Sequence, residues 1–360
     1  MPNDKIRVLI ADDSALMRRE IKRIIESDPD LEVIAAARNG QDALDKTIEL
    51  QPDVVALDIN MPVMDGLTAL QRIMMQAPRP VVMISSLTQE GARITYEALE
   101  LGAVDFVGKP DGTISLNIDK VAHDIIYKIK AAARSNRSRL RLRRQKLPLV
   151  SRKESFAVSR RRTPKSDFDK IVVIGQSTGG PNTIMDILPL IPEDFEAPIL
   201  LVQHMPGTFT PSFAQRLDKN CAIRVKEAQS GDIIKPGWGY LAPGDIHMTI
   251  APRGMGNPGF IIRLSKTPSD TLHMPSVDVT MMSVVKYLGN QTIGVLLTGM
   301  GDDGADAMVH IRRAGGRTIA ESEETAVVFG MPREAIARGG AEFVLPSYSI
   351  AEKIVELVRS

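Results

Sequence analysis

The sequence predicts two α/β domains in tandem, a five-stranded parallel sheet followed by a second, doubly wound and mostly parallel sheet. Three observations predict this. A chain of 360 residues exceeds what one ordinary core accommodates. Its first 130 or so residues alternate short apolar runs with amphipathic stretches, the pattern of βαβ units. Beyond a strongly basic stretch, apolar runs resume at Ile171 and are continuous, as in strands covered on both faces.

In the first domain, residues 1–130, strands are expected at Ile6–Ala11, Glu32–Ala36, Val54–Leu57, Val81–Ile84 and Val104–Val107. Ser14 is placed to cap a helix that carries Leu16, Met17, Ile21, Ile24 and Ile25 on one face. Lys120–Ala132, with Val121, Ile125 and Ile129 four residues apart, reads as the closing helix. The periodicity is then lost, and Arg, Ser and Lys dominate around Pro148 and Pro164, so 131–168 is expected to be a flexible linker. Between Lys128 and Lys165 stand 15 Lys/Arg and one acid, Glu154, although the whole chain carries a net charge of only +1. A basic strip therefore joins two more acidic bodies. Contact with nucleic acid or an anionic membrane is the rival reading, but Phe156 is the only aromatic available there for stacking. In the second domain, residues 169–357, IVVIG (171–175), ILLVQ (199–203) and TIGVLLT (292–298) read as buried strands. The Gly- and Pro-rich region Trp238–Ile262 reads as hairpins and loops.

Composition narrows the class. At 43% hydrophobic and 25% charged residues the chain is globular, and with 4% aromatics its cores must be aliphatic. One cysteine, Cys221, excludes an internal disulfide and fits a reducing compartment. No run approaches the ~18 apolar residues of a membrane span, and the N-terminal run is too short for a secretory signal. A cytoplasmic location without membrane insertion is expected.

The first domain places charged residues where strands end: Asp12 and Asp13 after the first, Asp58 at the third, Ser85 at the fourth and Lys109-Pro110 at the fifth. Carboxyl ends of strands are where sites form in doubly wound sheets. Three converging carboxylates repel one another and invite a hard cation, and Mg²⁺ suits oxygen ligands while leaving positions open for phosphate. The Ser85 hydroxyl and Lys109 ammonium are suited to hold phosphate oxygens. This ordered set, with the run Leu57-Asp58-Ile59-Asn60-Met61-Pro62-Val63-Met64-Asp65-Gly66, resembles a response-regulator receiver domain. The resemblance implies a flavodoxin-like fold, phosphorylation of Asp58 by a histidine kinase, and Mg²⁺ held by Asp12, Asp13 and Asp58. Ser85 and Phe106 fall at the family's switch hydroxyl and switch aromatic, with Ser where Thr is commoner.

In the second domain, Gly175-Gln176-Ser177-Thr178-Gly179-Gly180 follows an apolar strand, and Pro181 opens a helix pattern. Such a strand–turn–helix leaves a serine exposed on a tight turn near a helix N-terminus and satisfies G-x-S-x-G. A phosphate-cradling turn or a purely structural one fits the same residues. A nucleophilic serine needs a base, and the base an orienting carboxylate. His204 ends a buried strand at the same sheet edge; His247 and His273 lie in the loop-rich part and stay open, whereas His123 and His310 fall on helices. For the acid, Asp302 and Asp303 follow TIGVLLT, with Asp278 as competitor. The order Ser…His…Asp differs from the Ser…Asp…His of ordinary α/β-hydrolases.

Residues 168–357 resemble the catalytic domain of the chemotaxis protein-glutamate methylesterases, the CheB family. The resemblance rests on Gly175–Pro181, Gln203-His204-Met205-Pro206, His273-Met274-Pro275-Ser276-Val277-Asp278, Leu297–Gly304 and Val328-Phe329-Gly330-Met331-Pro332. It implies Ser177 as nucleophile, His204 as base, Asp303 as orienting acid, and Thr178 and the Met300 amide in support. Gln176 stands where Ala is usual. It further implies hydrolysis of glutamyl methyl esters on chemotaxis receptors, deamidation of receptor glutamines, no cofactor in this domain, and a receiver that inhibits it until Asp58 is phosphorylated. A DNA-binding output is disfavoured because the second half lacks a compact helix-turn-helix; a noncatalytic scaffold is the remaining rival.

Overall fold

The computed structural model describes residues 5–85, 89–109, 118–135, 168–254 and 258–360. The chain divides into two compact units, Met1–Arg141 and Leu142–Ser360. Most of the basic stretch expected to be a linker lies outside the described residues.

The first unit is built on β1 (Ile6–Ala11), β2 (Leu31–Ala37), β3 (Val54–Asp58), β4 (Val81–Ser85) and β5 (Asp105–Gly108). They form one parallel sheet in the order β2-β1-β3-β4-β5, the expected flavodoxin-like arrangement. Helices α1 (Ala15–Glu26), α2 (Gly40–Leu50), α3 (Gly66–Gln76), α4 (Gln89–Glu100) and α5 (Ile118–Ala133) alternate with the strands. Their starts follow from local chemistry. Ser14, Asn39 and Asp65 accept the amides of Met17, Asp42 and Thr68, supplying partners for N–H groups the helix cannot satisfy. The apolar face of α1 buries Ile21, Ile24 and Ile25 as its spacing predicts, but Leu16, expected on the same face, is exposed in the first turn, and Met17 is only half-buried.

One member of the basic strip is not solvated. Lys128 lies on α5 and is buried, its Nζ 3.3 Å from Asp105 Oδ1 and 2.6 Å from the Phe106 carbonyl oxygen. The buried Asp105 carboxylate at the start of β5 requires a counter-charge, and Lys128 supplies it.

The second unit contains β6 (Ile171–Gln176), β7 (Ile199–Gln203), β8 (Arg224–Glu227), β9 (Trp238–Leu241), β10 (His247–Pro252), β11 (Phe260–Ser265), β12 (Thr292–Leu296), β13 (Arg317–Glu321) and β14 (Phe343–Leu345). Seven of these form a sheet in the order β14-β13-β12-β6-β7-β9-β8, with every pairing parallel. Its helices are α6 (Gly180–Ile187), α7 (Thr210–Asn220), α8 (Val277–Leu288), α9 (Ala305–Arg313), α10 (Met331–Ala337) and α11 (Ser347–Arg359). Ile171, Val172, Val173 and Ile174 of β6 are wholly buried. At about 1.5–3 kcal/mol for each large apolar side chain removed from water, this strand is a rigid base for whatever follows it. The chain winds outward from β6 in both directions, so a crevice opens at the carboxyl ends of β6, β7 and β12.

The reading of Trp238–Ile262 as hairpins and loops holds only in part. His247–Pro252 and Phe260–Ser265 do form an antiparallel hairpin. Trp238–Leu241, however, joins the main sheet between β7 and β8. A four-residue strand containing Gly239 is too short to show a period and too glycine-rich to read as a strand. Among the described residues no helix is long and apolar enough to cross a membrane.

Candidate active site and phosphorylation site

In the first unit, Asp12 and Asp58 are buried and Asp13 is exposed. One oxygen from each carboxylate lies within 4.8 Å of the others. Asp12 Oδ1 accepts the Ser14 amide at 2.8 Å and Asp58 Oδ1 the Ile59 amide at 2.7 Å, which orients both groups. Lys109 Nζ sits 3.0 Å from Asp12 Oδ2 and 2.8 Å from Asp58 Oδ2. Burial pushes the Asp58 carboxyl above its ordinary range; Asp12 adds to the rise, and Lys109 opposes both. Burial alone would lower the Lys109 ammonium, but hydrogen bonds to Asp58 and Asp12 hold it above its usual value. Ser85 is buried at the end of β4, where its carbonyl accepts the Lys109 amide at 2.7 Å. Phe106 is buried on β5, with its ring edge-on to Tyr96 at 6.3 Å. Asp12, Asp13, Asp58 and Lys109 thus converge at one sheet edge, with Ser85 ending the adjacent strand, whereas the Phe106 ring packs against Tyr96 and Lys128. The donor set is oxygen only, and three carboxylates against one ammonium keep it net negative, which fits a small hard cation.

In the second unit, β6 pairs with β7 so that Gln176 lies opposite Gln203, and Ser177 and His204 leave the sheet side by side. The His204 amide donates to the Gln176 carbonyl at 3.2 Å, and Gln203 Nε2 donates to the carbonyls of both Ser177 and His204. His204 Nε2 is 2.8 Å from Asp303 Oδ2, and its Nδ1 is buried without a hydrogen-bond partner. A carboxylate can only accept, so in neutral His204 the Nε2 carries the proton and Nδ1 is a free basic lone pair.

The structure separates the two acids that strand position alone left open, in the way the resemblance implied. Asp303 faces inward to His204, whereas Asp302 is turned to the surface and pairs with Arg338 at 2.5 Å. Asp303 has further donors. Ser276 Oγ reaches its Oδ1 at 2.8 Å, the Asp278 amide the same atom at 3.0 Å, and the Val277 amide Oδ2 at 2.7 Å. Burial alone would raise this carboxyl, but His204 and the amides at the start of α8 hold it well below the usual carboxylate range. Asp278, the competitor for the role of acid, turns instead to the Ala307 amide at 2.8 Å. Its carboxyl is pushed up to about 6 by burial, with Asp303 and Asp306 adding to the rise.

Ser177 departs from expectation in one respect. The serine on its turn is almost completely covered, at 1% exposure. The cause is close packing by the segment after β12: a Cβ on Gly299 would stand 2.8 Å from Ser177 Cβ and 2.2 Å from Met331 Sδ. Thr178 is buried beside it, its carbonyl accepting from Thr298 Oγ1 at 2.9 Å. Met300 lies on the same turn as Gly299. The histidines also sort themselves. His273 stacks on His204 with ring centroids 4.0 Å apart and planes inclined by 19°. His247 is buried; its Nδ1 accepts the Ser276 amide at 3.1 Å and its Nε2 lies 2.9 Å from the Pro268 carbonyl. His123 stacks on Tyr127 in the first unit, and His310 Nδ1 meets the Asp306 carbonyl on α9. The stacking of His273, the Ser276 hydroxyl and the two amides on Asp303 carry no signature in the sequence beyond their shared His273–Asp278 segment.

Residues 172–354 match the family model for CheB methylesterase, and residues 8–117 that for the response regulator receiver domain. A protein-glutamate methylesterase/protein-glutamine glutaminase of Caldanaerobacter subterraneus subsp. tengcongensis is 54% identical, covering 98% of this chain and 97% of its own. A second, from Carboxydothermus hydrogenoformans, is 52% identical and covers 99% of both chains. The crystal structure of the Thermotoga maritima CheB methylesterase catalytic domain is 46% identical with a TM-score of 0.50, over 52% of this chain and 98% of that one. The chain therefore belongs to the CheB methylesterase family, with a response regulator receiver domain preceding the methylesterase domain.

Proposed function

We propose that the chain is a cytoplasmic, phosphorylation-controlled hydrolase that removes methyl groups from glutamyl γ-esters on chemotaxis receptors and deamidates receptor glutamines. Residues 1–130 act as the receiver, 131–168 as a basic connection and 169–357 as the catalytic domain. The observation that carries the reading is the 2.8 Å contact of His204 Nε2 with Asp303, which leaves Nδ1 buried and without a hydrogen-bond partner on the residue that follows Gln203, the sheet partner of Gln176.

Ser177 Oγ attacks the γ-carbonyl carbon while His204 Nδ1 takes its proton; Asp303 balances the imidazolium. The C–O bond to the methoxy group breaks, and the same proton leaves with it as methanol. Water then attacks the acyl-enzyme, giving a glutamate carboxylate and restoring Ser177. The Met300 amide and amides at the start of α6 would hold the oxyanion, a contribution of about 3–4 kcal/mol where such donors are removed. With a glutamine substrate the leaving group is ammonia and the rest is unchanged. Thr178 supports the turn.

In the receiver, a histidine kinase is the phosphodonor to Asp58. Asp12, Asp13 and Asp58 would hold Mg²⁺, which when bound neutralises carboxylate and phosphoryl charge. Ser85 and Lys109 receive the phosphoryl oxygens, Phe106 reports the change, and restraint on the catalytic domain is relieved. Methanol release from methylated receptor membranes, with and without a small-molecule phosphodonor, tests this. Native protein releases methanol faster with the phosphodonor, Asp58→Asn does not respond, and Ser177→Ala releases none; a Ser177→Ala variant with near-native turnover refutes the assignment.

A further inference from the structure

The first turn of α8 is wedged into the site from behind. A Cβ on Gly175, two residues before Ser177, would stand 2.2 Å from Val277 Cγ1, and one on Gly304, the residue after Asp303, would stand 2.7 Å from the same atom. Val277 thus fills space that both glycines leave empty. Around it, two helix starts exchange carboxylates. Asp303, from the loop entering α9, accepts the amides of Val277 and Asp278 in α8. Asp278, from α8, in return accepts the Ala307 amide in the first turn of α9, with the Gly304 amide contributing. Ser276 closes the ring: its amide donates to His247, and its hydroxyl donates to Asp303 while accepting from Val279.

We propose that Asp278 is a positioning residue for the Ser177–His204–Asp303 set: by tying the start of α9 to the start of α8 it fixes where the Asp303 carboxylate stands, and so which nitrogen of His204 is left basic. The inference rests on the hydrolase reading above. Asp278 makes no hydrogen bond to His204 or Ser177, so it acts through Asp303 and not on substrate. Asp303 meets four donors, two of them amides whose own helix would shift if the return tie were cut. Loss of the tie therefore moves the acid while every reacting group is still present.

The test uses the full-length protein, methylated receptor membranes and a phosphodonor, with Asp278→Ala, Asp278→Asn and Ser177→Ala compared with native. Asp278→Ala removes the acceptor and lowers kcat by about 10–100-fold with KM within about twofold, as expected for a sub-ångström to ångström misplacement. Asp278→Asn keeps an acceptor oxygen for Ala307 and returns kcat to within about fivefold of native. In ¹⁵N-histidine NMR, the deshielded His204 Nε2 proton shifts in Asp278→Ala and stays in place in Asp278→Asn. Equal loss in both variants, a native-like Asp278→Ala, or a change confined to KM overturns the proposal. If Asp278→Ala does not fold, Asp278→Asn decides alone: a loss above tenfold, or a displaced proton, overturns it. If native protein releases no methanol, the hydrolase reading falls, and the NMR comparison still judges the positioning role.

Discussion

Asp303→Asn is the perturbation that separates geometry from charge in this site. The asparagine is nearly isosteric, so packing around Val277 and Gly304 is kept. Its amide cannot satisfy all four donors that Asp303 meets, namely His204 Nε2, Ser276 Oγ and the amides of Val277 and Asp278. With the oxygen toward His204, the NH₂ faces the Asp278 N–H; with the NH₂ toward His204, it faces the Val277 N–H. Either way one buried amide N–H is left without an acceptor, a cost of about 1–3 kcal/mol. For a domain of this size that corresponds to a fall in Tm of about 3–10 °C. The second orientation also presents an N–H to His204 Nε2, which drives the imidazole proton to Nδ1 and removes the base. In another Ser/His/Asp hydrolase the same exchange lowers kcat by about 10⁴. The expected loss here lies between about 10² and 10⁴, because the first orientation keeps the tautomer but still lacks the charge that balances an imidazolium. Methanol release under single-turnover conditions measures the loss, and scanning calorimetry the Tm. A kcat within about tenfold of native, with the Tm lowered as expected, would refute the role given to Asp303.

Three further outcomes follow from the same geometry. Gly299→Ala places a Cβ 2.2 Å from Met331 Sδ and 2.8 Å from Ser177 Cβ, so it lowers kcat about 10–100-fold and costs about 1–3 kcal/mol by shifting Ser177 while removing no catalytic group; unaltered turnover would show that Ser177 tolerates displacement. Asp58→Asn raises the Tm of the receiver at pH 7. The folded Asp58 carboxyl lies above its unfolded 3.8, so ionisation costs the native state more as pH rises through that value. The Tm gain should vanish below pH 3.8, and a gain that grows on acidification contradicts the sign. Lys128→Met strands the buried Asp105 carboxylate and destabilises the receiver by about 3–5 kcal/mol in urea unfolding, and adding Asp105→Asn recovers much of it. Equal effects of the single and double variants would show that the pair is not coupled.

What the sequence determined is what short-range chemistry encodes. Strands buried on both faces must be apolar throughout, so β1, β3, β6 and β7 are legible almost to the residue, and Ser14 announces its helix because an N-cap needs an acceptor there. The carboxylates, hydroxyl and lysine of the receiver are legible because a parallel sheet delivers successive strand ends to one edge. The tertiary structure decided what depends on residues far apart in the chain. Spacing alone leaves Asp302 and Asp303 as equal neighbours; the resemblance implied the second, and the arrival of α8 with three donors gives the physical reason. Lys128 reads as part of a solvated basic run, yet Asp105 draws it into the interior from 23 residues away. Trp238–Leu241 becomes a strand because β7 and β8 offer it two unpaired edges, a property of the sheet rather than of four residues. Ser177 stands at the predicted turn, but it is buried, packed against Gly299 more than 100 residues downstream. Local patterns fix which groups are present at the sheet edge; long-range packing fixes which atom of each group faces which.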